Sequence, residues 1–203
     1  MSIIQDIKET AAGRDLSIRW YQSQITALGG NKITGKQLIM SSENSINRSQ
    51  RMDEINDAGM PRYGKMNLFA YSPETAKKLP YYDMFPLIIP IERAKGGILG
   101  INFHYLPIPL RVQLLQLLTE TFGDDTGTKM TNLTWRQLSG YRKVMPIVRH
   151  YKYKRVRSKF LQIPLEDMII AILLPVQRFY TGPLNNKRPV EPRKVYADTR
   201  KKI

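Results

Sequence analysis

Apolar residues along this chain keep two different spacings, and the changes between them mark out its elements. Ile3, Ile4 and Ile7 share one helical face, predicting a short helix within residues 1–13. A second helix is predicted through Trp20, Tyr21, Ile25 and Leu28, capped by Asp15 or Ser17 and stopped at Gly29-Gly30. Residues 31–60 are rich in Ser, Asn and charge and read as a long loop, or as an arm that orders on a neighbouring molecule. The period then shortens to two. Lys65–Tyr71 alternates as a strand, Ser72–Lys78 reads as a turn or loop, and Pro86–Ile91 is apolar without interruption. Ile98–Leu106 alternates again, with Leu99, Ile101, Phe103 and Tyr105 on one side. The last two runs are joined by Arg93–Gly97, whose glycines tolerate the positive φ that a hairpin turn needs. Pro86 and Pro90 cannot donate to a ladder, which predicts a strand that is short or lies at an edge.

After Pro107 the helical period returns. Leu110, Leu114, Leu117, Leu118 and Phe122 form a stripe that Gly123 ends, and Leu115 widens it. Gly123–Met130 is a loop, and Thr131 or Asn132 caps a predicted helix through Leu133, Trp135, Leu138 and Tyr141, broken at Pro146. Pro164-Leu165-Glu166-Asp167 has the make-up of a first helical turn, and Met168–Leu174 is apolar all round and therefore buried. From Gly182 the chain turns to Pro, Asn, Lys and Arg. The pattern predicts an α+β fold: a small bent β-sheet or SH3- or OB-like barrel over about residues 63–106, flanked by helices, with an extended basic C-terminal tail. It divides the chain into N-terminal helices and arm (1–60), one core domain (61–181) and the tail (182–203).

Charge changes this picture more than composition does. The net charge is +15, and the halves are unequal: 13 basic against 10 acidic residues over 1–100, then 19 against 7 over 101–203. An excess confined to one half points to a polyanionic partner, either nucleic acid or an acidic protein surface. Cysteine is absent, which excludes disulfides, thiolate metal sites and cysteine nucleophiles. No signal peptide is visible, and Met168–Val176 is far shorter than the roughly 20 residues a membrane span needs, so a soluble protein is expected.

Arg149–Lys159 is the strongest chemical signal, because six of its eleven residues are Lys or Arg, with His150, Tyr151 and Tyr153 between them. Flexible cations reach phosphates and tyrosines stack on bases or bond phosphate oxygens. If the stretch is helical, Val148, Tyr151 and Arg155 share one face and Arg149, Lys152 and Lys159 point outward. The bland alternative is a solvated face whose long stems cover apolar neighbours. The residues expected on DNA are Arg149, Lys152, Tyr153, Lys154, Arg155, Arg157 and Lys159, joined from the tail by Lys187, Arg188, Arg193 and Lys194. Trp20 and Tyr21 read either as core packing or, with Tyr81 and Tyr82, as interface anchors.

Catalytic patterns are thin. His104, beside Asn102, suits a structural hydrogen bond better than a general base. A metal-dependent nuclease needs clustered carboxylates and a lysine. Asp83, Glu92 and Lys95 come closest, but Ala94 stands where strand alternation would put the lysine; Asp124-Asp125 reads as surface decoration. No metal, cofactor or catalytic residue is expected.

The succession LPYYDMFPLIIPI (Leu79–Ile91), GGILGINFHYLP (Gly96–Pro107) and RSKFLQIPLEDMIIAILLPVQRF (Arg157–Phe179) resembles a family of virion proteins of T-even-like and marine tailed phages that includes DNA end protectors and head-completion proteins. The resemblance runs from about Ser17 to Phe179 and is weakest over 31–60. It implies a non-enzymatic role in the particle, an oligomeric state there, synthesis in the host cytoplasm, and partners in the neck, portal or baseplate together with double-stranded DNA. It brings no catalytic residues, and no end-specific pocket is evident in the sequence. The alternatives are a purely protein-binding neck or baseplate component and a metal-dependent DNA nuclease.

Overall fold

The apolar runs on either side of the Arg93–Gly97 turn pair as the sequence predicts, forming the centre of a wider sheet. In the computed structural model the described residues are 3–11, 17–41, 60–123, 136 and 144–203. Strand β1 is Met66–Leu68 and β2 is Tyr82–Asp83. The long hairpin is β3 (Leu87–Ala94) and β4 (Gly97–Asn102), closed by Gly96 at φ 68°. Far along the chain, β5 (Val148–Lys152) and β6 (Leu161–Ile163) complete a five-stranded antiparallel sheet in the order β5-β4-β3-β1-β6. A second sheet joins β2 to β7 (Phe179–Thr181) and β8 (Arg188–Val190), in the order β2-β7-β8.

Both sheets are open, so the SH3- or OB-like barrel expected over 63–106 is not formed. Three strands of the main sheet, β1, β3 and β4, lie within that stretch; the other two come from residues 148–163, whose pairing nothing nearby announces. The prolines also mislead. β3 is eight residues long and interior, pairing with both β1 and β4. β1 covers only Leu87 and Ile88, and the register with β4 shifts between Pro90 and Glu92. Pro90 therefore stands at a bulge, where a missing donor costs least.

The helices packed on this frame include α1 (Ile3–Ala11), α2 (Ile18–Ala27), α3 (Ile108–Phe122), α4 (Met168–Leu173) and α5 (Pro192–Arg200). Ser17 caps α2, its Oγ accepting from the Trp20 amide at 3.3 Å. Trp20 and Tyr21 are half-buried against the main core, ring edge to ring face, as core packing requires. Residues 35–41, expected in a loop, are helical: Thr34 and Gln37 cap the segment reciprocally, and Leu38 and Ile39 are buried. α3 follows its stripe, burying Arg111, Leu114, Leu115, Leu118 and Phe122, while Leu117 turns outward. Ile98–Leu106 is strand only as far as Asn102. There the Asn102 Oδ1 accepts the His104 amide at 2.9 Å and starts a 3₁₀ turn at Phe103–Tyr105. Of the helix expected over 133–141 only Arg136 is described, and it is helical; the rest of that helix and the pair Asp124-Asp125 lie outside the described residues.

Two corrections bear on function. Arg149–Lys159 is not a helix: it is strand β5, a 3₁₀ turn at Tyr153–Arg155, and an extended return toward β6. The tail is not extended and coreless either, since β8 and α5 fold back onto the body. Val195 is wholly buried, and Tyr196 hydrogen-bonds the Arg111 guanidinium at 3.0 Å. Val195 and Thr199, four residues apart, give α5 a narrow buried stripe that charge-rich composition conceals.

Candidate nucleic-acid interface

The basic segment owes its shape to the open edge of the main sheet. Among the described residues β5 pairs only with β4, from Ile101–Val148 to Gly97–Lys152. Period two puts Arg149 and Tyr151 on the same side of β5. Tyr151 is buried, in edge-to-face contact with Phe69 and Tyr71, so the strand is anchored by aromatic packing. Beyond it the chain is laced to residues 70–72. Ser72 donates to the Arg155 carbonyl (3.1 Å), Arg157 donates to the Ala70 carbonyl (2.8 Å), and Ala70 donates to Ser158 Oγ (2.8 Å). Fixed backbone on both sides turns a cation-rich sequence into a ledge with defined positions.

Glu74 organises the centre of that ledge. Its carboxylate accepts from Lys152 Nζ at 2.8 Å, Lys154 Nζ at 3.0 Å and Arg155 Nη2 at 3.1 Å. Hydrogen bonds from Lys152, then Lys154 and Arg155, hold its pKa down to about 2, so it is ionised at every physiological pH. One anion thus gathers three cations and leaves a surplus of positive charge. Arg157 and Lys159 continue the row, both exposed. Tyr153 is half-buried against the aromatic cluster of Phe69, Tyr71, Tyr151 and Phe160, which makes it a support.

A cavity of about 300 Å³ opens beside the ledge. Its lining includes Glu74 and Lys152 from the ledge, Arg149 and His150 from β5, and Tyr71, Tyr81, Tyr82, Tyr105 and Tyr151. The Arg149 guanidinium lies 4.3 Å from the Tyr105 ring centre, a cation–π contact, and its Nη1 donates to the Val148 carbonyl at 2.8 Å. Burial pushes the Tyr105 hydroxyl up to about 12 and raises those of Tyr151, Tyr81 and Tyr82, so the tyrosines are neutral at physiological pH.

Behind the cavity lies a polar network that the sequence only half reveals. Asp83 Oδ2 pairs with His104 Nδ1 at 2.8 Å and accepts from Asn102 Nδ2 at 3.2 Å, and Asn102 also donates to the Tyr151 hydroxyl at 2.9 Å. Asp83 Oδ1 accepts the Phe85 amide at 3.0 Å. His104 is fully buried, and burial, outweighing the nearby Asp83, lowers its pKa. The structural reading of His104 therefore agrees with its setting. Asp83 is committed to this network on the second sheet, whereas Glu92 is on the central strand β3, and Lys95 is in the hairpin turn and exposed. Among the described residues no three His, Asp or Glu side chains gather to hold a metal ion.

The remaining expected residues are dispersed. Lys187 sits 4.6 Å from the Tyr180 ring centre, and Tyr180 pairs across β2–β7 with Tyr82. Arg188 is exposed on β8, and Arg193 and Lys194 are exposed on α5; Arg193 lines a shallow groove with Arg200 and Lys201. Tyr81 and Tyr82 are interior groups rather than exposed anchors, Tyr81 packing on Tyr105 and Phe179. Sequence reasoning missed Glu74, a lone acid in a loop, and Arg111, a cation on an apolar helix face.

A family model described as phage T4 terminal DNA protecting protein matches residues 42–198. No curated protein and no solved structure matches the chain significantly.

Proposed function

The chain belongs to the phage T4 terminal DNA protecting protein family, and from that membership we propose that it is a non-enzymatic, virion-associated protein that shields the end of linear double-stranded DNA by gripping its backbone. The observation that carries the proposal is the ledge, with six Lys or Arg side chains in eleven residues that leave edge strand β5 and run back past residues 70–72 toward β6. Lysine and arginine contacts to phosphate position a protein without reading sequence, and each releases counterions, so log affinity falls by roughly 0.9 per phosphate contact for each tenfold rise in salt. Arg149, Lys152, Lys154, Arg155, Arg157 and Lys159 are the contact residues in this reading, with Lys187, Arg188, Arg193 and Lys194 meeting more distant phosphates. Its partners are the DNA backbone and the neck, portal or baseplate proteins around the DNA terminus, where it acts as an oligomer.

The test is retention of a linear duplex across a salt series, with survival of that duplex under a processive exonuclease. Changing Lys152, Lys154 and Arg155 together to Glu is expected to lower retention by about tenfold or more and flatten the salt slope. The protein should remain folded, because Lys152 and Lys154 are exposed enough that their ion pairs with Glu74 contribute little to stability. Unaltered retention in the triple variant would overturn the assignment of the ledge.

A further inference from the structure

The cavity beside the ledge is not needed for gripping a backbone, yet it is built as a site. Its volume, about 300 Å³, stands at the lower end of small-molecule pockets and suits one nucleotide rather than a duplex. Five tyrosines contribute to its wall, and every nucleobase has a π face that stacks on such rings regardless of sequence. Arg149 and Lys152 contribute cationic groups. Asp83, the acid in its lining apart from Glu74, is occupied by His104, Asn102 and the Phe85 amide. Tyr82 is 3% exposed, and its buried hydroxyl has no hydrogen-bond partner among the described residues. A buried polar group without a partner is costly, and a ligand that bonds it recovers that cost.

We propose that this cavity receives the terminal nucleotide of a DNA strand unpaired at the duplex end. The base enters among the tyrosines, with a polar edge on the Tyr82 hydroxyl, and the adjoining phosphate is held by Arg149 and Lys152. Lys152 belongs to both cavity and ledge, so the phosphates that follow run on to Lys154, Arg155, Arg157 and Lys159. The inference rests on the DNA-end reading above and deepens it, because a groove of cations alone cannot tell an end from the middle of a duplex.

Two duplexes of equal length and sequence test it, one with open ends and one closed at both ends by hairpin loops, compared by competition binding at fixed salt. The intact protein is expected to prefer the open duplex by about tenfold, as stacking one base provides. Tyr82→Phe should remove most of that preference and leave affinity for the closed duplex within about twofold; Arg149→Gln, which also gives up a backbone contact, should remove the preference and weaken binding of both duplexes. Tyr82→Phe keeps the ring in the core, so loss of folding does not obscure the result. Equal binding of both duplexes by the intact protein, or an undiminished preference in both variants, would overturn the cavity proposal while leaving the backbone grip standing. Failure to bind either duplex would overturn both.

Discussion

At the scale of single residues, three buried or clustered charges set testable limits. Arg111 is wholly buried and among the described residues pairs with no carboxylate; it donates to the Leu106 carbonyl (2.7 Å), the Ile172 carbonyl (3.0 Å) and the Tyr196 hydroxyl. Methionine fills similar space but leaves those acceptors dry, at about 1–3 kcal/mol for each unpaired group. Relief from burying a cation offsets part of this, so Arg111→Met is expected to lower stability by roughly 2–3 kcal/mol in urea unfolding. Glu74 predicts the opposite sense for binding. Glu74→Gln removes the one negative charge held among three cations, so DNA should be retained to higher salt with little change in stability, since exposed ion pairs contribute little. His104 sets a pH limit. Its folded pKa lies below the ordinary 6.5 because burial opposes the charge, with Arg111 adding to burial and Asp83 opposing it. In the interval between the two values the unfolded chain binds more protons, so stability declines as pH falls below about 6.5 and is untouched by this group above it. His104→Gln is expected to flatten that decline in the unfolding midpoint between about pH 7 and 5; an unchanged slope would assign it to other groups.

At the scale of elements, the parts that sequence made legible are those whose own residues decide them. α3 shows its stripe and its Gly123 stop, α4 its unbroken apolar run, and β3–β4 its turn glycine. Elements decided by distant partners were hidden. β5 carries the composition of a solvated helix and becomes a strand because β4 offers it a ladder and Phe69 and Tyr71 receive Tyr151. α5 hides behind a mean hydropathy typical of a tail, although Val195, Thr199 and Tyr196 fasten it. A free tail could be removed without consequence. Truncation after Val190 should instead lower the unfolding midpoint measurably, because it uncovers Val195's site and deprives Arg111 of a hydrogen bond. An unshifted midpoint would show α5 to be a passenger.

At the scale of the whole molecule, the functional half of the sequence was readable as charge but not as place. Net charge pointed to an anionic partner, and Arg149–Lys159 to the surface proposed for it. Neither reveals the cavity, because its wall comes from β2, the turn after β4, β5 and the loop around Glu74, segments up to about eighty residues apart in the chain. The outer rim of β5 has a further consequence. A strand edge with no partner among the described residues invites a second strand, yet here a neighbouring copy would have to bring its own lysines and arginines against these. Like charges of this kind repel, and a phosphate chain laid between them would cancel the repulsion. Under the DNA-end grip proposed above, crowding of copies is therefore expected to depend on the polyanion, and sedimentation with and without linear duplex would check it.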